Sequence, residues 1–431
     1  MMALAVTGIL SACSMAPTYQ RPDSPVAGEF PVKAEKASEH KATDIGWREF
    51  FKDARLQALI EIGLEHNRDL RVAALRIEEA RALYGIQRAD RLPTINAAGS
   101  GTRAKTPADL STTGAIATST RYDVGGSLAA FELDFFGRVK SLSDAALANY
   151  LASEEAQRSA KITLVSEIAK AYLAERAYAE QLELAQKSYD SRAQSYQLAK
   201  MRYDVGATSK LDLMQYETLL QSAKVSLVTL QRQRAQAENA LVVLTGKPLG
   251  KLPPAQPLAK QGILNDIPAG LPSDLLTNRP DLRQAEQTLM AANANIGAAR
   301  AAFFPRIALT GSYGTASSQL SGLFNAGSGA WSFAPAITLP IFDAGRNINN
   351  LDLAWARKNI AVAQYEKAVQ VAFREVADAL VARALLDQQV EAQAGVAKAE
   401  TERLKLSQAR YDNGISNSLE LLDAQRELFS A

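Results

Sequence analysis

The sequence holds one cysteine and two histidines in 431 residues. A disulfide framework needs paired cysteines, and a zinc site needs several Cys or His ligands at close spacing, so both are excluded. A surplus of one charge is missing too. Forty-eight basic side chains face 46 acidic ones, a net +2, where a nucleic-acid binder would show a basic excess. Aromatics are only 7% of the chain. Apolar residues make up 47%, yet no run approaches the ~18–20 consecutive apolar residues of a membrane-spanning helix. Catalytic constellations are absent as well. His40 and His66 lie far apart, without Cys or acidic partners at ligand spacing, and are expected to be solvent-exposed. Gly99-Ser100-Gly101 does not continue into a phosphate-binding loop, and Gly327-Ser328-Gly329 lacks the context of a nucleophile elbow. No enzymatic activity, metal, free cofactor or nucleic-acid partner is expected.

What is present starts with the lone cysteine. Residues 1–12 are apolar or small and uncharged, too short to span a bilayer but suited to the core of a secretory signal. They are assigned as a signal-peptide remnant; the basic segment that should precede them is missing, so the true start is expected upstream. The run closes with Leu10-Ser11-Ala12-Cys13, which resembles a bacterial lipobox, where cleavage before the Cys is followed by acylation. The alternative is a small buried Cys in an ordinary helix, which sits badly with Pro17, Pro22 and Pro25. Ser14 after the Cys, rather than Asp, resembles lipoproteins sorted to the outer membrane.

The chain is written twice. Asn67-Arg68-Asp69-Leu70-Arg71 returns as Asn278-Arg279-Pro280-Asp281-Leu282-Arg283, and Leu92-Pro93-Thr94-Ile95 returns as Phe304-Pro305-Arg306-Ile307. Phe136-Gly137-Arg138 is echoed by Ala344-Gly345-Arg346, and Arg202-Tyr203-Asp204-Val205-Gly206 by Arg410-Tyr411-Asp412-Asn413-Gly414. Four anchors in one order at offsets of 208 to 212 mark a tandem duplication. Each half predicts an amphipathic helix (about Leu56 to Ala89, and about Ser273 to Ala302), then two strands around a Gly/Ser/Thr-rich loop. A very long helix follows. Residues 138–203 contain neither Gly nor Pro and residues 346–411 only Gly395, so each stretch would reach about 100 Å. After a Gly turn a return helix begins near Lys210 or Asn417. The expected organisation is a lipid-anchored strap over 13–55, a first repeat over 56–246, a connector over 247–272 and a second repeat over 273–431. That second repeat is expected to be truncated about 23 residues short of its counterpart of Gly246.

The strands alternate. Ile307, Leu309, Gly311 and Tyr313 share a face, as do Trp331, Phe333, Pro335, Ile337, Leu339 and Ile341; in the first half Tyr122, Val124, Gly126, Leu128 and Ala130 do so more weakly. About ten residues of such alternation suit a transmembrane β-strand. A sheet lying on soluble helices remains the alternative. Four strands cannot close a barrel and open edges are not tolerated in lipid, so membrane strands would have to be pooled, twelve from three chains. The long helices carry small residues at helical spacing, among them Ala145, Ala148, Ala152 and Ala156, which suits a wall of closely packed helices more than a two-stranded coiled coil.

Together the lipobox, the duplicated helix–hairpin–long-helix unit and the paired Arg-Tyr-Asp-x-Gly turns resemble the outer-membrane factor (TolC-like) family, the exit ducts of tripartite efflux and type I secretion systems. The opening through Cys13 to Gln20-Arg21-Pro22 resembles the lipoprotein branch serving resistance-nodulation-division pumps. The resemblance implies a mixed α/β membrane protein, a homotrimer with a twelve-stranded outer-membrane barrel continued by a periplasmic helical barrel. It also implies a periplasmic adaptor, an inner-membrane pump, contact with outer-membrane lipids and passive export of drugs or small toxic compounds. Localisation would be the outer membrane, lipid-anchored and extending into the periplasm. Type I protein secretion, metal-ion efflux, or a pore-less coiled-coil lipoprotein remain alternatives.

The resemblance also points to two functional regions. Val205-Gly206-Ala207-Thr208 and Asn413-Gly414-Ile415-Ser416 would be periplasmic tips docking on the adaptor, although Gly206 and Gly414 also suit plain left-handed helix caps. Asp423 and Arg426, one turn apart, match gate positions; alone they are also an ordinary i, i+3 surface pair. Tyr411 and Asp412 join the candidate gate, with Glu420, Gln215 and Glu217 secondary.

Overall fold

A computed structural model of the chain describes residues 14–31, 44–264, 267 and 272–431, with only the backbone at 272 and 273. Cys13 and His40 lie outside the described residues. A short α1 (Trp47–Phe50) precedes α2 (Ala54–His66) and α3 (Arg68–Ala89). The hairpin β1 (Ile95–Thr106) and β2 (Ala117–Leu133) leads to α4 (Arg138–Asp204) and its return helix α5 (Lys210–Thr245). The second half repeats the order: α6 (Pro272–Asn278), α7 (Pro280–Ala301), β3 (Arg306–Ser317), β4 (Gly329–Thr338), α8 (Arg346–Asp412) and α9 (Ser418–Ser430). The long helices α4 and α8 have 67 residues each, because no glycine or proline breaks either before its terminal turn except Gly395, which α8 absorbs. None of the described helices is long and apolar enough to cross a membrane.

The single amphipathic helix expected at the start of each half is two helices. Asn67 takes an extended backbone, with φ −61° and ψ 132°, and works in both directions. Its Oδ1 accepts from Leu70 N at 2.8 Å, capping α3, while its Nδ2 donates to Leu244 O at 2.9 Å. In the second half Arg279 stands before Pro280, a position from which helical backbone is sterically disfavoured. The duplicated Asn-Arg-…-Asp-Leu-Arg motif is therefore a helix break. His66, expected to be exposed, is half-buried at the same break, 3.7 Å from Glu65.

Two compact units emerge. The first comprises Met1–Pro25, Ala74–Ala156 and Pro280–Val369. It contains one four-stranded antiparallel sheet in the order β1-β2-β3-β4, so the two halves of the duplication share it. Its strands outrun the expected alternation on one side and stop short on the other. A bulge after Leu128, with Ala130 at φ 45°, shifts the register, so Phe131 and Leu133 continue the apolar row in place of Ala130. β4 ends at Thr338, leaving Leu339 and Ile341 beyond it. The strap is seated on α7. Gly297 leaves room for Ala16, whose N would lie 2.7 Å from a Cβ added there. Asn293 Nδ2 donates to Pro17 O at 2.7 Å, and Arg21 grips the nearly buried Glu286 through Nε at 2.7 Å and Nη2 at 2.8 Å. Tyr19 donates to the same carboxylate at 2.9 Å; burial first, then that bond, holds its hydroxyl well above the usual phenol range. Glu286→Ala removes all three bonds, at a cost of about 1–2 kcal/mol after allowing for the exposure of Arg21. Limited chymotrypsin digestion should then cut after Tyr19, which loses its bond to Glu286, about tenfold faster than in the wild type.

The second unit comprises Val26–Ala73, Gln157–Arg279 and Gln370–Ala431. Its core joins Phe51, Leu56, Leu59 and Ile60 to Leu164, Ile168, Ala169, Tyr172 and Leu241, burying one face each of α2, α4 and α5. α5 ends at Gly246, where φ is 73° and a Cβ would sit 2.2 Å from His66 O. Backbone cannot yield as a flexible side chain does. Gly246→Ala is expected to destabilise the protein by about 3 kcal/mol or more, read as a lowered Tm of the purified protein.

Candidate functional site

The sequence Arg-Tyr-Asp-x-Gly acquires a geometric meaning at the ends of α4 and α8. Gly206 and Gly414 have φ of 76° and 69°. In the first turn Ala207 N donates to Arg202 O at 2.7 Å and Gly206 N to Tyr203 O at 2.9 Å. In the second, Ile415 N donates to Arg410 O at 2.9 Å and Gly414 N to Tyr411 O at 3.0 Å. Both are Schellman caps, with the glycine in the left-handed position after the helix. The chain then re-enters a helix at once: Ser209 and Asp212 form a reciprocal capping box, and Asn417 Oδ1 accepts from Glu420 N at 3.3 Å. Hydrogen bonds from Ser209 and then Thr208 hold the Asp212 carboxyl below its usual range. Val205, Gly206, Ala207, Asn413, Gly414 and Ile415 are exposed, and Thr208 and Ser416 half-buried. Leu211 and Leu419, at equivalent places in the two halves, are also exposed.

These turns are tied to each other through Tyr411 and partners the sequence did not single out for it. Arg202 Nη1 donates to the Tyr411 hydroxyl at 3.2 Å, linking α4 to α8. Tyr216 of α5 shares a hydrogen bond with Tyr411; burial, followed by that bond, holds its hydroxyl far above the usual phenol range. Ser418 Oγ reaches Asp212 Oδ1 at 3.4 Å. Nothing short of the fold could have shown this, since the partners are 195 to 209 positions apart.

The candidate gate residues fall into two groups. Asp423 is bound by Arg426 one turn along α9 and also by Arg403 of α8, a partner missed in the sequence. Arg426 turns additionally to Glu427 at 2.9 Å. Glu420 accepts from Arg410 Nε at 3.1 Å, a second tie between α8 and α9. Asp412 is exposed and accepts from Gln408 on its own helix at 2.8 Å. Gln215 and Glu217 are half-buried on α5, where Glu217 lines an open groove with Met214, Thr218 and Val225. Leu421, Leu422 and Ala424 bury the opposite side of α9 and fix which way Asp423 and Arg426 lie.

The sheet has two unlike faces. Register places Gly126, Tyr313 and Trp331 in one row, and Leu128, Gly311 and Phe333 in another, all on an apolar face. In this chain that face is bare: Tyr313 is 79% exposed, Trp331 76%, Phe333 61% and Ile337 70%. The other face carries Ser100, Asp123, Gly125, Ser312, Gly314 and Ser332, and a hollow of about 200 Å³ opens on it. Gly125 and Gly314 face each other across β2 and β3, where a Cβ on Gly314 would lie 2.2 Å from Val124 O.

An outer membrane efflux protein family model matches residues 59–247 and 271–431, most of both repeats. The chain belongs to the outer membrane efflux protein family. This efflux protein is 48% identical to the outer membrane protein OprJ of Pseudomonas aeruginosa, over 99% of its own length and 89% of that protein's. It is 47% identical to the toluene efflux pump outer membrane protein TtgI of Pseudomonas putida, over 98% of itself and 91% of TtgI. Among solved structures, a membrane protein from Pseudomonas aeruginosa superposes with a TM-score of 0.90 at 48% identity, covering 97% of this efflux protein and 94% of that chain. The open state of the MtrE outer membrane channel of Neisseria gonorrhoeae superposes at 0.88 with 43% identity, covering 97% and 93%. The efflux protein is thus a mixed α/β, mostly helical chain whose place is the outer membrane.

Proposed function

We propose that the chain is the outer-membrane channel subunit of a tripartite efflux pump, through which drugs and small toxic compounds leave the periplasm without an energy-consuming step of its own. The observation that carries this is the open-edged sheet with a bare apolar face. Among the described residues, strands β1 and β4 are both unpaired on one side, and they run in opposite directions, so β1 of one copy can pair antiparallel with β4 of the next. Three copies supply twelve strands, an even number closing a barrel with no edge in lipid. The apolar face then meets lipid and the small polar face lines water. Long helices with buried Ala145, Ala148 and Ala152 suit close packing around a periplasmic duct. Cys13 is the acyl attachment point of the mature chain.

Docking on a periplasmic adaptor, itself joined to an inner-membrane resistance-nodulation-division pump, falls to the two turns. Their exposed glycines and the exposed Leu211 and Leu419 offer a low, apolar rim with no side chain in the way. Asp423 and Arg426, with Tyr411 and Asp412, form the periplasmic gate. The ties from Arg403 and Arg410 hold α9 against α8, and the Arg202–Tyr411 bond holds α8 against α4, so opening must break or carry these ties. Each partly exposed pair shifts an equilibrium only a few-fold, but three copies act together. Asp423→Ala is therefore expected to raise single-channel open probability about tenfold in planar bilayers. Unchanged conductance and gating would remove Asp423 from the gate.

Antibiotic and solvent susceptibility of a deletion strain, complemented with the chain together with its neighbouring pump genes, tests the function itself. Restored resistance is expected. Restored secretion of a protein substrate without restored resistance would favour a type I secretion duct instead.

A further inference from the structure

The outward row of β1 ends in two cations. Pairing with β2 is unbroken from Ile95 to Thr106, so alternation holds throughout the strand. Gly99 faces the Val124 side chain, and Gly101 lies under the Tyr122 ring, 3.2 Å from its edge were a Cβ added. Both glycines are therefore on the apolar face, and the next residues in that row are Arg103 and Lys105. Tyr122 is the last aromatic on this hairpin before the loop, so the cations begin one step beyond the aromatic level. They stand about 7 Å apart along the strand. Both are exposed, and neither side chain finds an ion pair or hydrogen bond among the described residues. Their cross-strand neighbours are Thr120 and Thr118, and the loop 107–116 offers Asp109 as its sole charge.

The contrast with the polar face gives the pair its meaning. Arg121, on the other side of the same hairpin, is fully neutralised by Asp123 through bonds of 2.7 to 2.9 Å. The cation lining water is compensated within the chain, and the cations facing outward are not. A charge beyond the apolar band costs little to place there, and an uncompensated guanidinium beside an ammonium matches phosphate oxygens.

We propose that Arg103 and Lys105 bind the phosphates of lipid headgroups in the outer leaflet around the barrel. This rests on the trimeric barrel proposed above, which puts the apolar face in lipid and the β1–β2 loop outside the cell. Three such pairs would ring the channel and fix its height in the membrane.

The test titrates the purified full-length protein in detergent with fluorescent diphosphoryl lipid A. Parallel arms use dephosphorylated lipid A and an excess of inorganic phosphate as competitor. Planar-bilayer conductance is measured on the same preparations. The wild type is expected to conduct and to prefer the phosphorylated lipid. The double variant R103Q/K105Q should still conduct, bind the phosphorylated lipid about tenfold more weakly and lose the preference. Arg121→Gln should bind as the wild type does, and inorganic phosphate should not compete. Equal binding by R103Q/K105Q, equal binding of both lipids by the wild type, or displacement by free phosphate would each overturn the site while leaving the channel standing. A preparation that does not conduct even with the Asp423→Ala substitution would overturn the barrel, and this site with it.

Discussion

Phe333→Arg is expected to abolish assembly of the protein in the outer membrane, while Ser332→Arg, one residue away, leaves it intact. Phe333 lies in the middle of β4, 61% exposed on the apolar face, beside Gly311 of β3. An arginine facing lipid near the middle of a membrane strand costs roughly 2–4 kcal/mol, and three copies bring this to roughly 6–12 kcal/mol. That consumes most of the net stability of an ordinary folded protein. Ser332 points to the other face, where its hydroxyl pairs with Ser312 at 2.7 Å, and an arginine there would stand in water. Heat-resistant oligomers on gels, from membrane fractions of both variants, make the comparison. If the two variants behave alike, the sheet does not have one face in lipid and one in water.

The second large effect is at the turns. Gly414→Glu is expected to drop drug resistance to that of a strain lacking the channel, with assembly unchanged. At both Gly206 and Gly414 an added Cβ meets nothing within 4 Å, so no clash is created inside the chain. What any side chain does bring is left-handed strain, about 1 kcal/mol for alanine. Gly414→Ala carries that strain without bulk or charge and should keep most of the resistance, as should Gly414→Asn. Loss of resistance in all three would assign the glycine to the cap alone. Resistance retained by Gly414→Glu would remove the turn from adaptor docking.

Much of this fold was legible because absence is a strong local signal. Without Gly or Pro over 138–203 nothing interrupts a helix, and the structure carries it one residue further, to Asp204. The repeated Arg-Tyr-Asp-x-Gly encodes a complete Schellman cap, since the left-handed residue and the preceding helix end are all local. The break at Asn67 was hidden because neither Asn nor Arg forbids a helix; the partner that stabilises it, Leu244 O, is 177 positions away. The bulge at Ala130 was hidden for a like reason. Alternation looks continuous until the register against β3 shows where it slips, and Thr310 Oγ1, accepting from Ala130 N at 3.3 Å, belongs to the other repeat.

At the candidate gate the sequence supplied Asp423 and Arg426 through helical spacing and family resemblance. It did not supply Arg403, Arg202 or Tyr216, because which charges meet depends on how α4, α5, α8 and α9 lie side by side. The strap clamp was equally invisible: Arg21 and Glu286 are 265 positions apart, and surface arginines outnumber the buried glutamates they might meet.

The central claim is that copies of this chain close a conducting duct. Purified full-length protein, its stoichiometry determined by native mass spectrometry, is fused into planar lipid bilayers without nucleotide or partner proteins. A trimeric particle giving discrete single-channel steps is the predicted result. A monomer or dimer, or a trimer that leaves the bilayer insulating even with the Asp423→Ala substitution, would contradict it.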